Sequence, residues 1–286
     1  MKLLRWGPPD AEKPGLIAAD GSLRDLSAEI ADIAPARMTP ADWDRLRRLD
    51  PAALPAVPAG ERLGAPVAGV GNILCIGLNY HDHARETGIP APPEPIVFSK
   101  HTGALTGPTG PVPLPRGSLK MDWEAELAVV IGRRAYAVRE QDALAHVAGY
   151  CVANDVSERV YQMERGGQWV KGKSCPGFCP LGPWLVTPDE VPDPQSLRVW
   201  LEVNGRRMQD GTTADMIFPV AFLVSYLSRF MALQPGDVIL TGTPAGTGLG
   251  HDTFLREGDR IRLGIDGLGE QDQPVTANGI GNGGAH

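Results

Sequence analysis

Short apolar runs broken by Gly, Pro, Asn and Asp recur along the chain, a rhythm that predicts strands joined by tight turns. Residues 3–6, 15–18 and 22–26 read as three short strands around turns such as Asp20-Gly21. A polar helix is predicted over 39–47, with Thr39 as N-cap and Pro40 at the first helical position. Residues 51–66 form a Pro/Ala-rich connector. A second body begins at Asn72, with apolar strands expected over 73–77, 95–100, 121–132, 147–155, 181–186 and 197–203. The last leads into the hairpin turn Asn204-Gly205. Turn-then-strand units follow at 235–244 and 257–263. Helical character shows in a short turn over 79–88, closed by Gly88, and over 218–230, with Pro219 in the first turn. Residues 101–120 read as a Gly/Pro-rich loop that covers a site, and 156–180 as a long functional loop.

Many strands and few helices place the chain in the α+β class, mainly β, with helices outside a mixed sheet. The expected organisation is a small N-terminal α+β domain with its connector over 1–70, a main domain over 71–272 and a flexible glycine-rich tail over 273–286. The βαβ alternation and Gly-rich fingerprint of a dinucleotide fold are missing.

Composition narrows the function. A hydrophobic content of 42% and a charged content of 21% are those of an ordinary globular chain, and 35 Gly with 27 Pro fit the turn-rich reading. A net charge of −7 with no basic run excludes nucleic acid as the expected partner. No stretch approaches the roughly 18 apolar residues that span a bilayer, so no membrane partner is expected. Residues 1–10 lack the apolar core of a signal peptide, which points to the cytoplasm. Cys75 and Cys151 lie in apolar strands as small hydrophobes, and Cys175 and Cys179 flank a Pro-Gly loop with no motif of a catalytic thiol.

The candidate chemistry is carboxylate chemistry. Glu124 and Glu126 sit two apart on a predicted strand and project to one face. A third carboxylate, Asp155, ends the next apolar run. Each has a plain alternative, a solvated strand face for the glutamates and a strand-end cap for Asp155. Acidic groups gathered beside apolar runs are costly unless a cation sits among them. With no His or Cys nearby in sequence, an all-oxygen set suits Mg2+, Mn2+ or Ca2+ better than zinc.

His83 and Glu86 are three apart and share a helical face, so Glu86 can orient the imidazole as a general base. The alternative is a surface histidine beside a helix-stabilising glutamate. His81, two residues away, points elsewhere. Lys171 and Lys173 flank Gly172 in the loop, where a lysine near a cation-bound enolate can stabilise negative charge. Gln162 is a candidate donor to substrate, and Thr243, in the turn Gly242-Thr243-Pro244, offers a hydroxyl and an N–H to a substrate carboxylate. Tyr80, Lys100, Arg159 and Arg165 are further candidates for anion binding.

From about residue 72 to 269 the chain resembles the fumarylacetoacetate hydrolase (FAH) superfamily. The matching blocks are Ile76-Gly77-Leu78-Asn79-Tyr80-His81-Asp82-His83, Asp122-Trp123-Glu124-Ala125-Glu126-Leu127, Asn154-Asp155-Val156-Ser157-Glu158-Arg159, Gln168-Trp169-Val170-Lys171-Gly172-Lys173-Ser174 and Thr241-Gly242-Thr243-Pro244. Five blocks in order are far more specific than any one. Lys13-Pro14-Gly15-Leu16 and Leu23-Arg24-Asp25-Leu26-Ser27 are similar to the bacterial branch labelled 2,4-diketo-3-deoxy-sugar-acid hydrolase or ureidoglycolate lyase. One departure shows: Cys175-Pro176-Gly177 stands where many relatives carry an acidic residue or threonine.

The resemblance implies a mixed β-roll catalytic domain, a homodimer, and Mg2+ or Mn2+ on Glu124, Glu126 and Asp155. It selects Lys173 over Lys171 and places His83 with Glu86 on a lid helix. The implied reaction is hydrolysis of the C–C bond of a 2,4-dioxo acid, of the acylpyruvate type (a 2,4-diketo-3-deoxy sugar acid or fumarylpyruvate), giving pyruvate and a carboxylic acid. Oxaloacetate decarboxylation, ureidoglycolate cleavage and isomerisation of a 2-hydroxy-diene-dioate are alternatives at the same site. A cation-retaining binding protein is the non-enzyme alternative, against which the presence of both His83 and Glu86 argues.

Overall fold

The computed structural model describes residues 1–277. Its centre is a pair of strands, β6 (Ala125–Ile131) and β7 (Val147–Asn154), in which every residue is buried. Continuous Val, Ala and Leu suit strands covered on both faces. The two pair antiparallel, with Glu126 opposite Ala153 and Ala125 opposite Asn154. They lie in the middle of a ten-stranded sheet. Its other members are β1 (Lys2–Trp6), β2 (Lys13–Ile17), β3 (Leu23–Asp25), β4 (Ile73–Gly77), β5 (Ile96–Lys100), β8 (Cys179–Val186) and β11 (Val238–Leu240). The order is β3-β2-β1-β8-β7-β6-β11-β4-β5, with the two-residue strand Leu105–Thr106 beside β8.

A second sheet holds β9 (Arg198–Val203), β10 (Arg206–Thr212), β12 (Arg260–Ile265) and β13 (Gly269–Thr276), with Val112–Pro113 on its edge. It closes on the first through polar contacts: Gln271 of β13 donates to the carbonyls of Val152 and Gly182, and Asn154 donates to Gln273. The two sheets form the mixed β-roll, an α+β body that is mainly strand.

The N-terminal segment contains the expected strands and helix. It lays them on the edge of the main sheet, with Leu3 of β1 opposite Leu185 of β8. Helix α1 (Pro40–Arg47) starts at a full capping box, Thr39 and Asp42 exchanging side-chain and backbone bonds, and buries Trp43 and Leu46.

Four expectations need correction. The run 121–132 is two strands, because Met121–Asp122 pairs with Ser157–Glu158 while β6 pairs with β7. The partner chain turns at Asp155, so one strand cannot follow both ladders. The loop 156–180 contains two short helices, α3 (Arg159–Met163) and α4 (Val170–Lys173). The loop 101–120 contributes the two-residue strands Leu105–Thr106 and Val112–Pro113, one to each sheet. Residues 273–276 belong to β13, whose inward positions Gln271, Gln273 and Val275 are buried. Glutamines facing inward hid that strand from a hydrophobicity pattern. The remainder of the predicted tail, from 278 on, lies outside the described residues.

Helix α2 (His81–Thr87) ends on Gly88 in the left-handed region, and α5 (Val220–Phe230) follows Pro219. Among the described residues no helix is long and apolar enough to cross a membrane.

Candidate active site

Local geometry brings the three carboxylates together. Asp155 lies just past the end of β7, where its N–H donates to the Glu124 carbonyl at 2.9 Å. Asn154 accepts from the Glu124 N–H at 3.2 Å. Glu126 lies on β6 two residues from Glu124, and the three carboxylates offer oxygens all within 4.8 Å of one another. All three are buried.

Three cations stand around them. Lys173 Nζ, from the end of α4, donates to Glu124 Oε2 at 2.8 Å and to Asp155 Oδ2 at 2.7 Å. Arg159, opening α3, bonds Asp122 Oδ2 at 2.7 Å and Glu124 Oε1 at 2.6 Å. Lys100 binds the other Asp155 oxygen and the Val156 carbonyl. Burial pushes the Glu124 carboxyl up, but Lys173 and Arg159 outweigh it and hold it well below the usual carboxylate range. Burial likewise works against the Lys173 ammonium, and Asp155 and Glu124 overcome it, leaving its pKa above the usual lysine value.

Glu126 is different. Burial first, then the neighbouring Asp155 and Glu124, push its pKa well above the ordinary value. Four buried carboxylates (Asp122, Glu124, Glu126 and Asp155) thus face three buried cations, and Glu126 has no cationic partner among the described residues. A surplus of buried negative charge on an all-oxygen donor set is what a hard divalent cation neutralises. The residues fit such an ion.

His83 and Glu86 form the expected pair. Nδ1 of His83 lies 2.9 Å from Glu86 Oε2, and Glu86 Oε1 accepts from the Gly246 N–H at 2.8 Å. Burial pushes the Glu86 carboxyl up, but these two bonds win and lower it. Gly246 adopts φ +102°, where a Cβ would stand 1.9 Å from the Met208 carbonyl oxygen, so only glycine places its N–H on Glu86. The same residue's carbonyl accepts from the Trp123 indole at 3.0 Å, tying the dyad's support to the segment that carries Glu124.

One cavity of about 170 Å³ joins these groups. His83, Glu124, Glu126, Arg159, Gln162 and Lys173 are its polar lining; Ile76, Phe98, Trp169 and Leu249 are among its apolar lining. Gln162 accepts from Arg159 through Oε1, which leaves its amide nitrogen for the cavity.

The remaining candidates lie elsewhere or are committed. Thr243 lines the cavity, but its hydroxyl is buried, donating to the Ala125 carbonyl and accepting from Gln209. Tyr80 is fully buried with an unpartnered hydroxyl and does not line the cavity. Lys100 lies behind Asp155, and its role is to hold that carboxylate. Arg165 is exposed, stacked on Tyr161. Lys171 donates to the Arg165 carbonyl, and His81 is exposed on the far side of α2. Burial pushes the Cys179 thiol up to about 12, and Cys75 and Cys151 are raised likewise, so these sulfurs are inert. The sequence reading missed Asp122, which accepts from Arg159 and from the N–H groups of Gly248 and Leu249. Its place one residue before Trp123-Glu124 was the available signal.

Residues 72–276 match the family model of the fumarylacetoacetate (FAA) hydrolase C-terminal domain. A Burkholderia multivorans protein, named only provisionally as a hydrolase, is 58% identical over 280 residues, covering 97% of this chain and 99% of that one. The fumarylacetoacetate hydrolase of Exiguobacterium antarcticum superposes with a TM-score of 0.87 at 34% identity, over 97% of this chain and 99% of the other. A Sphingobium maleylpyruvate hydrolase, solved with manganese(II) and pyruvate, has a TM-score of 0.79 at 31% identity, over 97% and 100% of the two chains. The β-roll, the acidic trio and this match over most of the chain have one reading: the protein belongs to the fumarylacetoacetate hydrolase family.

Proposed function

We propose that this protein hydrolyses the carbon–carbon bond of a 2,4-dioxo acid, releasing pyruvate and a carboxylic acid, with Mg2+ or Mn2+ held by Glu124, Glu126 and Asp155. The observation that carries the reading is that His83, braced by Glu86, opens into the same cavity as Glu124, Glu126 and Lys173, with Asp155 closing the trio behind them. A bound cation there supplies Lewis-acid polarisation of the 2-oxo acid oxygens.

The chain's own residues supply the rest. Glu86 occupies Nδ1 of His83, so Nε2 is the ring nitrogen free to take a proton from water. That water adds to the distal C4 carbonyl, the C3–C4 bond breaks, and its electron pair leaves on the pyruvate fragment as an enolate. The proton held on His83 is available to return to C3. Lys173, buried beside the trio, stands against the negative charge that develops at the 2-oxo end. Gln162 offers its amide N–H to the same region. The likeness to a neighbour solved with manganese and pyruvate supports this assignment. A homodimer in the cytoplasm is part of the proposal, and sedimentation tests the dimer.

A turnover screen with added Mg2+, following loss of the enol chromophore of acylpyruvates and oxaloacetate and release of glyoxylate from ureidoglycolate, tests the reaction. The expected result is acylpyruvate hydrolysis abolished by EDTA. Full turnover in EDTA, or preference for either of the other two substrates, contradicts it.

A further inference from the structure

Ile89, Ile96, Met163 and Leu249 are large apolar side chains open to solvent, and all four line the cavity that Glu124, Glu126, His83 and Lys173 also line. Exposed apolar residues scattered singly mean little, but gathered around a cavity they mark a ligand surface. Trp169 and Phe98 continue this wall inward. Their rings meet edge-on with centroids 5.2 Å apart, and Lys173 Nζ lies 5.1 Å from the Phe98 centroid. The apolar wall therefore begins where the charged end stops. Trp169 is seated against Gly77, where a Cβ would come within 2.6 Å of its ring.

The charged groups of the lining are engaged at the polar end. Arg159 is held by Asp122 and Glu124, Lys173 by Glu124 and Asp155, and His83 by Glu86. The Thr87 hydroxyl turns back to the carbonyls of His83 and Ala84. Among the described residues, no cation of the apolar wall remains to receive a second carboxylate, and no free hydroxyl remains to receive a polyol.

We infer that the distal group of the substrate is an uncharged apolar chain or ring seated against Trp169, Ile89 and Leu249. This rests on the 2,4-dioxo acid reading above and narrows it: the wall discriminates against distal carboxylates and against sugar-derived polyols. An unpaired carboxylate taken into it loses water and gains no partner. Each methylene buried there is worth about a three- to fourfold gain in affinity.

Binding of 2-oxo acids that lack the scissile bond tests the inference without chemistry. The full-length, Mn2+-loaded protein is titrated calorimetrically with 2-oxohexanoate and with 2-oxoadipate, equal in carbon number and different only at the far end. The expected result is about tenfold or greater preference for 2-oxohexanoate, with affinity rising along 2-oxobutanoate, 2-oxohexanoate and 2-oxooctanoate. Ile89→Lys, at an exposed position that does not threaten folding, is expected to erase or reverse the preference. Equal or tighter binding of 2-oxoadipate by the unmodified protein overturns the inference. Turnover of hexanoylpyruvate and fumarylpyruvate separates the two readings. Hydrolysis of both with fumarylpyruvate faster sinks the apolar subsite alone. Preferential 2-oxohexanoate binding with neither compound hydrolysed supports the subsite and sinks the reaction.

Discussion

Glu126 Oε2 accepts the Gly242 N–H at 2.7 Å, and no cationic side chain of the described residues forms an ion pair with Glu126. Its neighbours Glu124 and Asp155 share Lys173, and each has a second cation as well. The trio is therefore incomplete in charge at one member.

That asymmetry sets a pH dependence. The folded pKa of Glu126 is raised above its unfolded value, so between the two the folded protein, free of divalent cation, binds more protons than the unfolded chain. Stability contributed by the protonated form is fully present below about pH 4.5 and is lost as pH rises through the folded value, at about 1.4 kcal/mol per pH unit. In EDTA, Tm is expected to fall across that window by a few degrees more than in Glu126→Gln. Saturating Mg2+, which takes the ionised carboxylate, is expected to raise the parent's Tm above its apo value and to suppress that fall with pH. Thermal scans from pH 5 to 8 measure it, and superimposable EDTA curves for the two proteins go against the assignment.

Glu124→Gln and Asp155→Asn are expected to behave differently from Glu126→Gln. Each strips a buried ammonium or guanidinium of a partner, and breaking a buried pair costs about 3–5 kcal/mol. All three variants should lose metal-induced stabilisation and turnover, but only Glu124→Gln and Asp155→Asn should also melt earlier in EDTA.

His83→Gln and Glu86→Gln are expected to lower kcat by about 10²- to 10⁴-fold while leaving the Mn2+-induced rise in Tm intact. The folded pKa of Glu86 is depressed, so its ionised form is favoured by the fold. Its contribution is present above about pH 4.5 and is lost as pH falls through the folded value. An acid limb of stability present in the parent and missing in Glu86→Gln checks that sign.

Much of this site is legible in the sequence, for physical reasons. Glu124 and Glu126 interrupt an otherwise apolar run of sequence, and an ionised residue inside such a run needs a partner. His83 and Glu86 lie at helical spacing on a turn that Gly88 closes. What stays hidden depends on long-range packing. Tyr80 lies in a matching block and Lys100 at the end of a predicted strand, yet Lys100 is spent behind Asp155 and Tyr80 is sealed in the core. The apolar wall draws Ile89, Ile96, Met163, Trp169 and Leu249 from three separate stretches of chain, so no window of sequence contains it. The last strand stays hidden because two of its three inward residues are glutamines, satisfied by the carbonyls of Val152, Gly182 and Pro108.

Gly77→Ala probes the wall from behind. A Cβ there meets the Trp169 ring at 2.6 Å, and Trp169 is only half-buried, so the indole can shift without unfolding the protein. KM for an apolar acylpyruvate is expected to rise by about fivefold, the scale of 1 kcal/mol of lost contact, with kcat little changed. Steady-state kinetics together with tryptophan emission measure the change.

The most direct test of the metal assignment is anomalous diffraction at the manganese edge from crystals grown with Mn2+. The expected result is one peak per chain bounded by oxygens of Glu124, Glu126 and Asp155. A map at saturating Mn2+ with no peak there, the carboxylates still closed on Lys173, contradicts it.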